Sequence, residues 1–197
     1  NPALKVMSFD IENSIRDGNI LTICYGIRED GALRQGKPIL GTEKEIIEEF
    51  TRVIQDEDPD AITGYNIDNY DIPTVMERGQ VCGADLCRWG RDLSEPRRSG
   101  QRGWKINGRL VVDAWWAAKM ALRPKQETLN HVAKLVLGEE KLDVDPSKMD
   151  EEWERNPDRV VKYCLKDAEL ALGILEHIET LRRTMDLSAV SKLPMED

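Results

Sequence analysis

The chain has 197 residues, of which 40% are hydrophobic and 33% are charged, so a single domain with a sizeable buried core is expected. The net charge of −9 argues against a protein that wraps nucleic acid non-specifically, and no apolar run is long enough to span a membrane. The four cysteines lack the spacing of a metal site, which favours reduced thiols in an intracellular, cytoplasmic protein.

Three strands joined by tight turns are predicted at the start of the chain. They cover residues 4–11, residues 20–27 and a third segment that ends near Leu40. The connecting segments contain Asp-Gly-Asn at 17–19 and Asp-Gly at 30–31, both typical of turns. The chain is therefore expected to open as an antiparallel meander.

A helix, a short strand and a second helix are predicted next. Thr42 begins the first helix, with a glutamate three residues later in the pattern of a capping box. The acidic turn at 56–60 lacks the spacing of a calcium loop, so we expect it to be solvated. A strand at 61–65 then leads to a helix that has Pro73 in its first turn and ends near Arg78.

A basic segment lies in the middle of the chain. Residues 83–103 are rich in Gly, Arg and Ser and lack periodicity, which predicts a long loop. A hairpin is predicted for 104–113, with Asn-Gly at its tip. Residues 88–109 contain seven basic and two acidic residues, so they carry a charge of +5 against −14 for the rest. This uneven distribution favours local contact with a polyanion.

Helices are predicted for most of the remaining chain. They cover residues 113–122, 128–137, 146–154 and 157–185, whereas residues 186–197 have the character of a linker. Strands followed by helices predict an α/β fold in which a mixed sheet is packed with helices.

Two acids stand out on the first predicted strand. Asp10 and Glu12 are two residues apart in the apolar run Val6-Met-Ser-Phe-Asp-Ile-Glu12, so both side chains point to one face. Neighbouring, partly buried carboxylates are costly without a cation, and a divalent metal is the usual partner. The alternative is a surface edge strand with solvated acids.

Two further acids are candidates for the same site. Asp71 follows the fourth predicted strand, where sites of sheet-and-helix folds collect. Asp167 lies four residues after Tyr163, so the two share one helical face. Taken singly, Asp167 is better explained as a solvated acid paired with a lysine, and Tyr163 as a half-buried packing residue.

Together these residues resemble a known family. The segments Phe9-Asp-Ile-Glu12, Asn66-x-x-x-Tyr-Asp71 and Tyr163-x-x-x-Asp167 are similar, in order and spacing, to the three exonuclease motifs of family B DNA polymerases. Lesser similarities are Thr128-Leu129-x-x-Val132 to its single-strand-contacting motif, Lys141-x-x-Val144 to its catalytic-lysine motif, and the strand at 108–113. The resemblance covers roughly residues 4–185 and concerns the proofreading type with four acids and a tyrosine.

The resemblance implies a ribonuclease-H-like fold and hydrolysis of a phosphodiester with two divalent cations, Mg²⁺ or Mn²⁺, held by oxygen ligands. It implies Asp10 as a ligand shared by both cations, Glu12 and Asp167 as ligands of the cation that activates water, and Asp71 as a ligand of the other. Because a tyrosine hydroxyl is a poor base at neutral pH, Tyr163 is expected to orient the attacking water. Lys141 is expected to stabilise the charged phosphate.

Substrate contacts are implied less directly. Asn66, Tyr70, Thr128 and Leu129 match positions that touch the 3′-terminal nucleotides in the family, although core packing explains Tyr70 and Leu129 equally well. Asn13 is a further candidate for contact with the primer end, at a position where many relatives carry Thr. The basic segment is compatible with contact to a DNA strand, with a solvated loop or with a surface for a polymerase domain.

The leading hypothesis is therefore a 3′→5′ DNA exonuclease domain that removes mismatched nucleotides from a single-stranded primer end. Residues 1–185 would form this domain and 186–197 a tail, in a DNA-associated monomer whose parent chain also carries polymerase domains. An initial Asn and the absence of a signal peptide fit an excerpt of a longer chain. The alternatives are a stand-alone DNA or RNA 3′ exonuclease of the same fold, or an inactive module that binds nucleic acid or braces a polymerase.

Overall fold

A computed structural model describes residues 3–85, 87–101, 103–139 and 144–191, with side chains described up to residue 183. The strands are β1 (Val6–Asn13), β2 (Ile20–Glu29), β3 (Ala32–Ile39), β4 (Ala61–Gly64), β5 (Arg97–Ser99), β6 (Gly103–Lys105) and β7 (Leu110–Asp113). The α-helices are α1 (Glu43–Glu57), α2 (Asp71–Cys82), α3 (Ala114–Leu122), α4 (Leu129–Leu137), α5 (Met149–Arg155) and α6 (Pro157–Ser191), and a 3₁₀ turn covers Pro146–Lys148.

The main sheet has the order β3-β2-β1-β4-β7. The first three strands form the antiparallel meander expected from the turn residues. β4 then pairs in parallel with β1, and β7 in parallel with β4. The mixed α/β sheet of a ribonuclease-H-like fold is therefore confirmed, with β1 at its centre.

The two faces of β1 have different partners. Met7, Phe9 and Ile11 lie in the largest core cluster together with apolar residues of α1 and α2. Phe9 packs against Phe50 of α1 with ring centroids 4.9 Å apart. Val6, on the opposite face, packs with residues of α6. This alternation follows directly from the period of two in a strand and places the even-numbered residues of β1 on the α6 side.

Helix boundaries follow local chemistry, with one clear extension. The Thr42 side chain accepts a hydrogen bond from the Glu45 backbone N–H at 3.2 Å, which begins α1 as predicted. α2 has Pro73 in its first turn but continues to Cys82, four residues beyond the predicted end near Arg78. It ends only where Gly83 takes the left-handed conformation.

The segment predicted as one long loop contains short strands. β5 and β6 pair with each other as a separate two-stranded sheet, and Trp89 is completely buried. The tight turn at 107–108 is present, bridged by Ile106 and Arg109. The prediction of a hairpin over 104–113 is nevertheless wrong beyond this turn, because one arm pairs with β5 and the other with β4.

Part of the basic segment neutralises the acidic turn that was expected to be solvated. Arg109, whose side chain is only 2% exposed, lies 2.7 Å from an Asp58 carboxylate oxygen. Arg91 contacts Asp58 at 3.0 Å and Asp60 at 2.9 Å. These hydrogen bonds lower the pKa values of both carboxyl groups. The Asp58 side chain nevertheless stays 58% exposed, so the turn is solvated as expected and is in addition ion-paired.

The last helix is longer than predicted. α6 extends to Ser191, so residues 186–191 of the expected tail are helical, while 192–197 lie outside the described residues. The domain boundary at 185/186 remains a prediction. Within the described part of the chain, no helix is both long and apolar enough to cross a membrane.

Candidate active site

The site begins with the two acids of β1. Asp10 and Glu12 are partly exposed and lie on the α6 side of the strand, as the alternation predicts. The Cys164 thiol of α6 donates to the Asp10 carbonyl oxygen at 3.4 Å, which connects the helix to the strand at this point. The alternative of a solvated edge strand is wrong, because β1 is flanked by β2 and β4.

Asp71 reaches β1 from the first turn of α2. Its side chain accepts a hydrogen bond from the Ile11 backbone N–H at 3.2 Å, between the two acids of β1. Asp71 is 3% exposed, and burial raises its pKa to about 8, with Asp113 and Asp167 adding to the increase. Because burial and acidic neighbours disfavour its negative charge, such a carboxylate binds either a proton or a cation.

Tyr163 and Asp167 both lie on the face of α6 that packs toward β1. Tyr163 is 5% exposed and Asp167 is 6% exposed, so neither is a solvated surface residue. Tyr163 also packs against Val144, Met149 and Val160. The spacing of four residues therefore brings both side chains to the same side of the helix.

One open pocket of about 490 Å³ collects these groups. It is lined by Asp10, Ile11, Glu12, Tyr65, Asn66, Tyr70, Asp71, Trp115, Glu127, Thr128, Leu129, Tyr163 and Asp167. All four acids, Tyr163 and the four main candidates for substrate contact thus share one cavity. β1, α2 and α6 supply the four acids and Tyr163, while Glu127, Thr128 and the start of α4 line another side.

One candidate among the described residues, Asn13, is not in this lining. Asn13 lies in an adjacent groove and accepts a hydrogen bond from the Tyr70 hydroxyl at 3.0 Å, so it contacts the pocket through Tyr70. Lys141 lies outside the described residues. Both assignments remain predictions.

Several pocket residues were not found by sequence reasoning. Tyr65, Trp115 and Glu127 line the cavity, and the Tyr65 hydroxyl donates to the Glu127 carbonyl oxygen. Glu127 directly precedes Thr128, and this adjacency is the only signal that could have identified it. Tyr65 and Trp115 lie at the ends of short elements, where the sequence gives no indication of which side chain faces a cavity.

Cys164 is a close neighbour of the acids. Asp10, Glu12 and Cys164 each offer one possible ligand atom, a carboxylate oxygen or the sulfur. These three atoms lie within 4.8 Å of one another. Burial raises the pKa of the Cys164 thiol well above its ordinary value, which keeps it protonated. The carboxylates are therefore the ligands available to a hard cation.

The pocket fits divalent cations of this kind. Asp10, Glu12, Asp71 and Asp167 supply oxygen ligands, and no cationic side chain is among the residues that line the described cavity. A bound cation would offset the burial and mutual repulsion that raise the pKa of Asp71. The donor set thus matches Mg²⁺ or Mn²⁺ better than a thiophilic metal.

A five-stranded mixed sheet with helices on both faces and an acidic pocket beside its central strand defines a ribonuclease-H-like fold. The chain belongs to the DNA polymerase family B exonuclease-domain family, whose profile matches residues 1–132. Membership of this family implies the use of divalent metal ions.

Individual relatives agree with this assignment. The DNA polymerase delta catalytic subunit of Bos taurus is 31% identical over 98% of this chain and 21% of its own length. The DNA polymerase of Pyrococcus glycovorans is 30% identical over 85% of this chain and 24% of its own length. The family B DNA polymerase of Pyrobaculum calidifontis has a similar structure, with a TM-score of 0.78 and 26% identity over 98% of this chain and 26% of that chain. The chain thus spans about a quarter or less of these proteins.

Proposed function

We propose that this domain hydrolyses the terminal phosphodiester at the 3′ end of a single DNA strand, and that it proofreads for a family B DNA polymerase. The observation that carries the proposal is the convergence of four carboxylates and Tyr163, from three elements distant in sequence, on one cavity. Such a set of oxygen ligands is what phosphodiester hydrolysis with two divalent cations requires.

Each acid has a proposed role. Asp10 would bind both cations, Glu12 and Asp167 would complete the ligands of one, and Asp71 would bind the other. When bound, the cations supply an activated water and neutralise the charge that develops on the leaving oxygen. The buried position of Asp71 keeps its carboxylate aimed at β1 through the Ile11 hydrogen bond.

Tyr163 would position the attacking water by hydrogen bonding. Its ring is packed against residues of α5 and α6, which fixes the direction of the hydroxyl. A fixed donor near the reacting phosphate lowers the entropic cost of bringing water into line.

The substrate contacts follow from the lining of the pocket. Asn66 and Thr128 offer polar groups to sugar and phosphate, whereas Tyr70, which is 49% exposed, offers a ring on which a base can stack. A base can stack on this ring only when it is free of its neighbours, as it is in a single strand. A frayed single-stranded end, which mismatches produce, is therefore the proposed substrate.

A 5′-labelled single-stranded DNA oligonucleotide tests the proposal. With Mg²⁺ or Mn²⁺, the wild-type domain should shorten it progressively from the 3′ end. Asp10→Ala should abolish shortening, since it removes a shared ligand, and Tyr163→Phe should retain weak activity. Asp158→Ala, an exposed acid of α6, is the matched control and should behave like wild type.

The alternatives predict different results in the same assay. A stand-alone trimming enzyme of this fold would shorten RNA as well as DNA. An inactive module would bind the strand without shortening it in either metal. Degradation by Asp10→Ala at the native rate would show that the assigned site is wrong.

A further inference from the structure

Asp113, at the end of β7, binds the backbone of the loop that carries Asn66, Tyr70 and Asp71. One of its carboxylate oxygens accepts the Asn66 N–H at 2.8 Å, and the other accepts the Asp68 N–H at 3.1 Å. Asp113 is 5% exposed, so these bonds are shielded from water. It lies outside the residues that line the pocket.

The loop begins with a residue in the left-handed conformation. Asn66 has a φ of +66°, in a region that asparagine enters more readily than most residues with a side chain. A contact that binds the backbone at such a residue helps to hold this conformation. The Asp113 carboxylate binds the amide of this residue and an amide two residues further on, on both sides of Ile67.

The loop transmits its position to Asp71 through backbone hydrogen bonds. The Tyr70 N–H donates to the Asn66 carbonyl oxygen at 3.1 Å, and the Ile72 N–H donates to the Ile67 carbonyl oxygen at 3.0 Å. The backbone from Asn66 to Ile72 is therefore connected by its own hydrogen bonds. We expect a shift at its beginning to displace Asp71 near its end.

From this geometry we infer that Asp113 is a positioning residue, which holds the 66–71 loop so that Asp71 can bind its cation. The inference rests on the proposed function, since it assigns a role in the same site. Asp113 also accepts the Trp115 N–H at 3.0 Å and so caps α3. The experiment must therefore separate support of the metal site from an ordinary helix cap.

Mn²⁺ binding without DNA provides that separation. Asp113→Asn places an amide N–H₂ opposite one of the loop N–H donors, so we expect Mn²⁺ to bind about 10- to 100-fold more weakly, the usual effect of removing a group that orients a metal ligand. The concentration of Mg²⁺ that half-saturates DNA shortening should rise in parallel. Thr42→Ala, which removes the cap of α1, should lower thermal stability and leave both metal measurements unchanged.

Two results would overturn the inference. The first concerns the Mn²⁺ affinity of folded Asp113→Asn. If it lies within about twofold of the affinity of Thr42→Ala, Asp113 contributes no more to Mn²⁺ binding than an ordinary helix cap does. The second is a wild-type domain that binds no Mn²⁺. In contrast, a wild-type domain that binds Mn²⁺ but shortens no DNA contradicts only the proposed function.

A second variant and a second measurement cover the case in which Asp113→Asn does not fold. Asp113→Glu keeps the charge but moves the carboxylate by one methylene, and the same weakening of Mn²⁺ binding is expected. In the wild-type protein, the amide protons of Asn66 and Asp68 should exchange slowly with solvent. Rapid exchange of both would contradict the hydrogen bonds on which the role of Asp113 depends.

Discussion

Gly64 shows how closely the site depends on single residues. It ends β4, and a Cβ atom there would meet the Phe9 carbonyl oxygen at 2.7 Å and collide with Cγ2 of Ile67. The chain therefore turns against β1 immediately after β4 and enters the loop that leads to Asp71. Only a residue without a side chain permits this approach.

Gly64→Ala should consequently destabilise the protein. The backbone of β1 cannot move without disturbing its strand partners, so we expect a loss of roughly 1–3 kcal/mol in the free energy of unfolding, as for other overpacked interiors. Chemical denaturation provides the measurement.

Gly79→Ala is the matched control for this substitution. Gly79 lies inside α2, where a Cβ would meet Cys87 Sγ at 3.7 Å and Ile47 Cγ2 at 3.8 Å, which are ordinary contacts. Because alanine is the better helix former, stability should stay constant or rise by about 0.5–1 kcal/mol. If both variants lost the same free energy of unfolding, the close approach of β1 to Gly64 would not explain why glycine is needed there.

At the scale of elements, Arg109 joins the turn after α1 to the segment before β7. Its guanidinium donates to the carbonyl oxygens of Trp89 and Pro59 at 2.8 and 2.7 Å, and to Asp58. Both carbonyl groups belong to segments without regular structure, whose polar groups need such partners. This arginine of the basic segment is therefore structural.

Arg109→Met should lower the free energy of unfolding by about 1–3 kcal/mol, because it leaves buried carbonyl groups without a donor. Arg88→Met, at an exposed arginine of the same segment, should change stability by no more than about 0.5 kcal/mol. Thermal or chemical unfolding distinguishes the two. If Arg88→Met were the more damaging substitution, the hydrogen bonds of Arg109 to the Trp89 and Pro59 carbonyl groups would not explain the structure of this segment.

The same segment illustrates what local sequence signals miss. The Asn-Gly turn at 107–108 was correctly predicted, because its residues determine it locally. The direction of the strands on either side depends on their partners. β7 pairs with β4, which is distant in sequence, and β6 pairs with β5, which lies in an irregular segment. The ion pairs of Arg91 and Arg109 with the acidic turn are equally long-range and carry no local pattern.

At the scale of the whole molecule, the meeting of the four acids in one cavity was predictable in two different ways. The common face of Asp10 and Glu12 follows from the period of a strand, without any comparison. Asp71 became a candidate from its place after a strand and Asp167 from the helical face it shares with Tyr163, and the resemblance of three ordered motifs then joined them to Asp10 and Glu12. The support from Asp113 could not be predicted, because nothing local indicates that the end of β7 lies beside the loop after β4.

Bringing these acids together affects the stability of the whole fold. An aspartate has an ordinary pKa of 3.8, whereas burial, with Asp113 and Asp167 nearby, raises the pKa of Asp71 to about 8. The folded state thus holds this proton more tightly than the unfolded chain. The stabilising contribution is complete below pH 3.8 and is lost as the pH rises to about 8.

A divalent cation should reverse this trend, because it binds the ionised carboxylates and only in the folded state. We therefore expect Mg²⁺ to raise the thermal midpoint more at about pH 8 than at about pH 6, where protons compete at Asp71. Scanning calorimetry with EDTA or with Mg²⁺ measures the difference. Asp71→Asn should abolish most of it and also weaken the pH dependence of the metal-free protein, whereas Asp158→Asn should change neither. An Mg²⁺ shift of equal size at both pH values in the wild type would contradict the competition between a proton and the cation at Asp71.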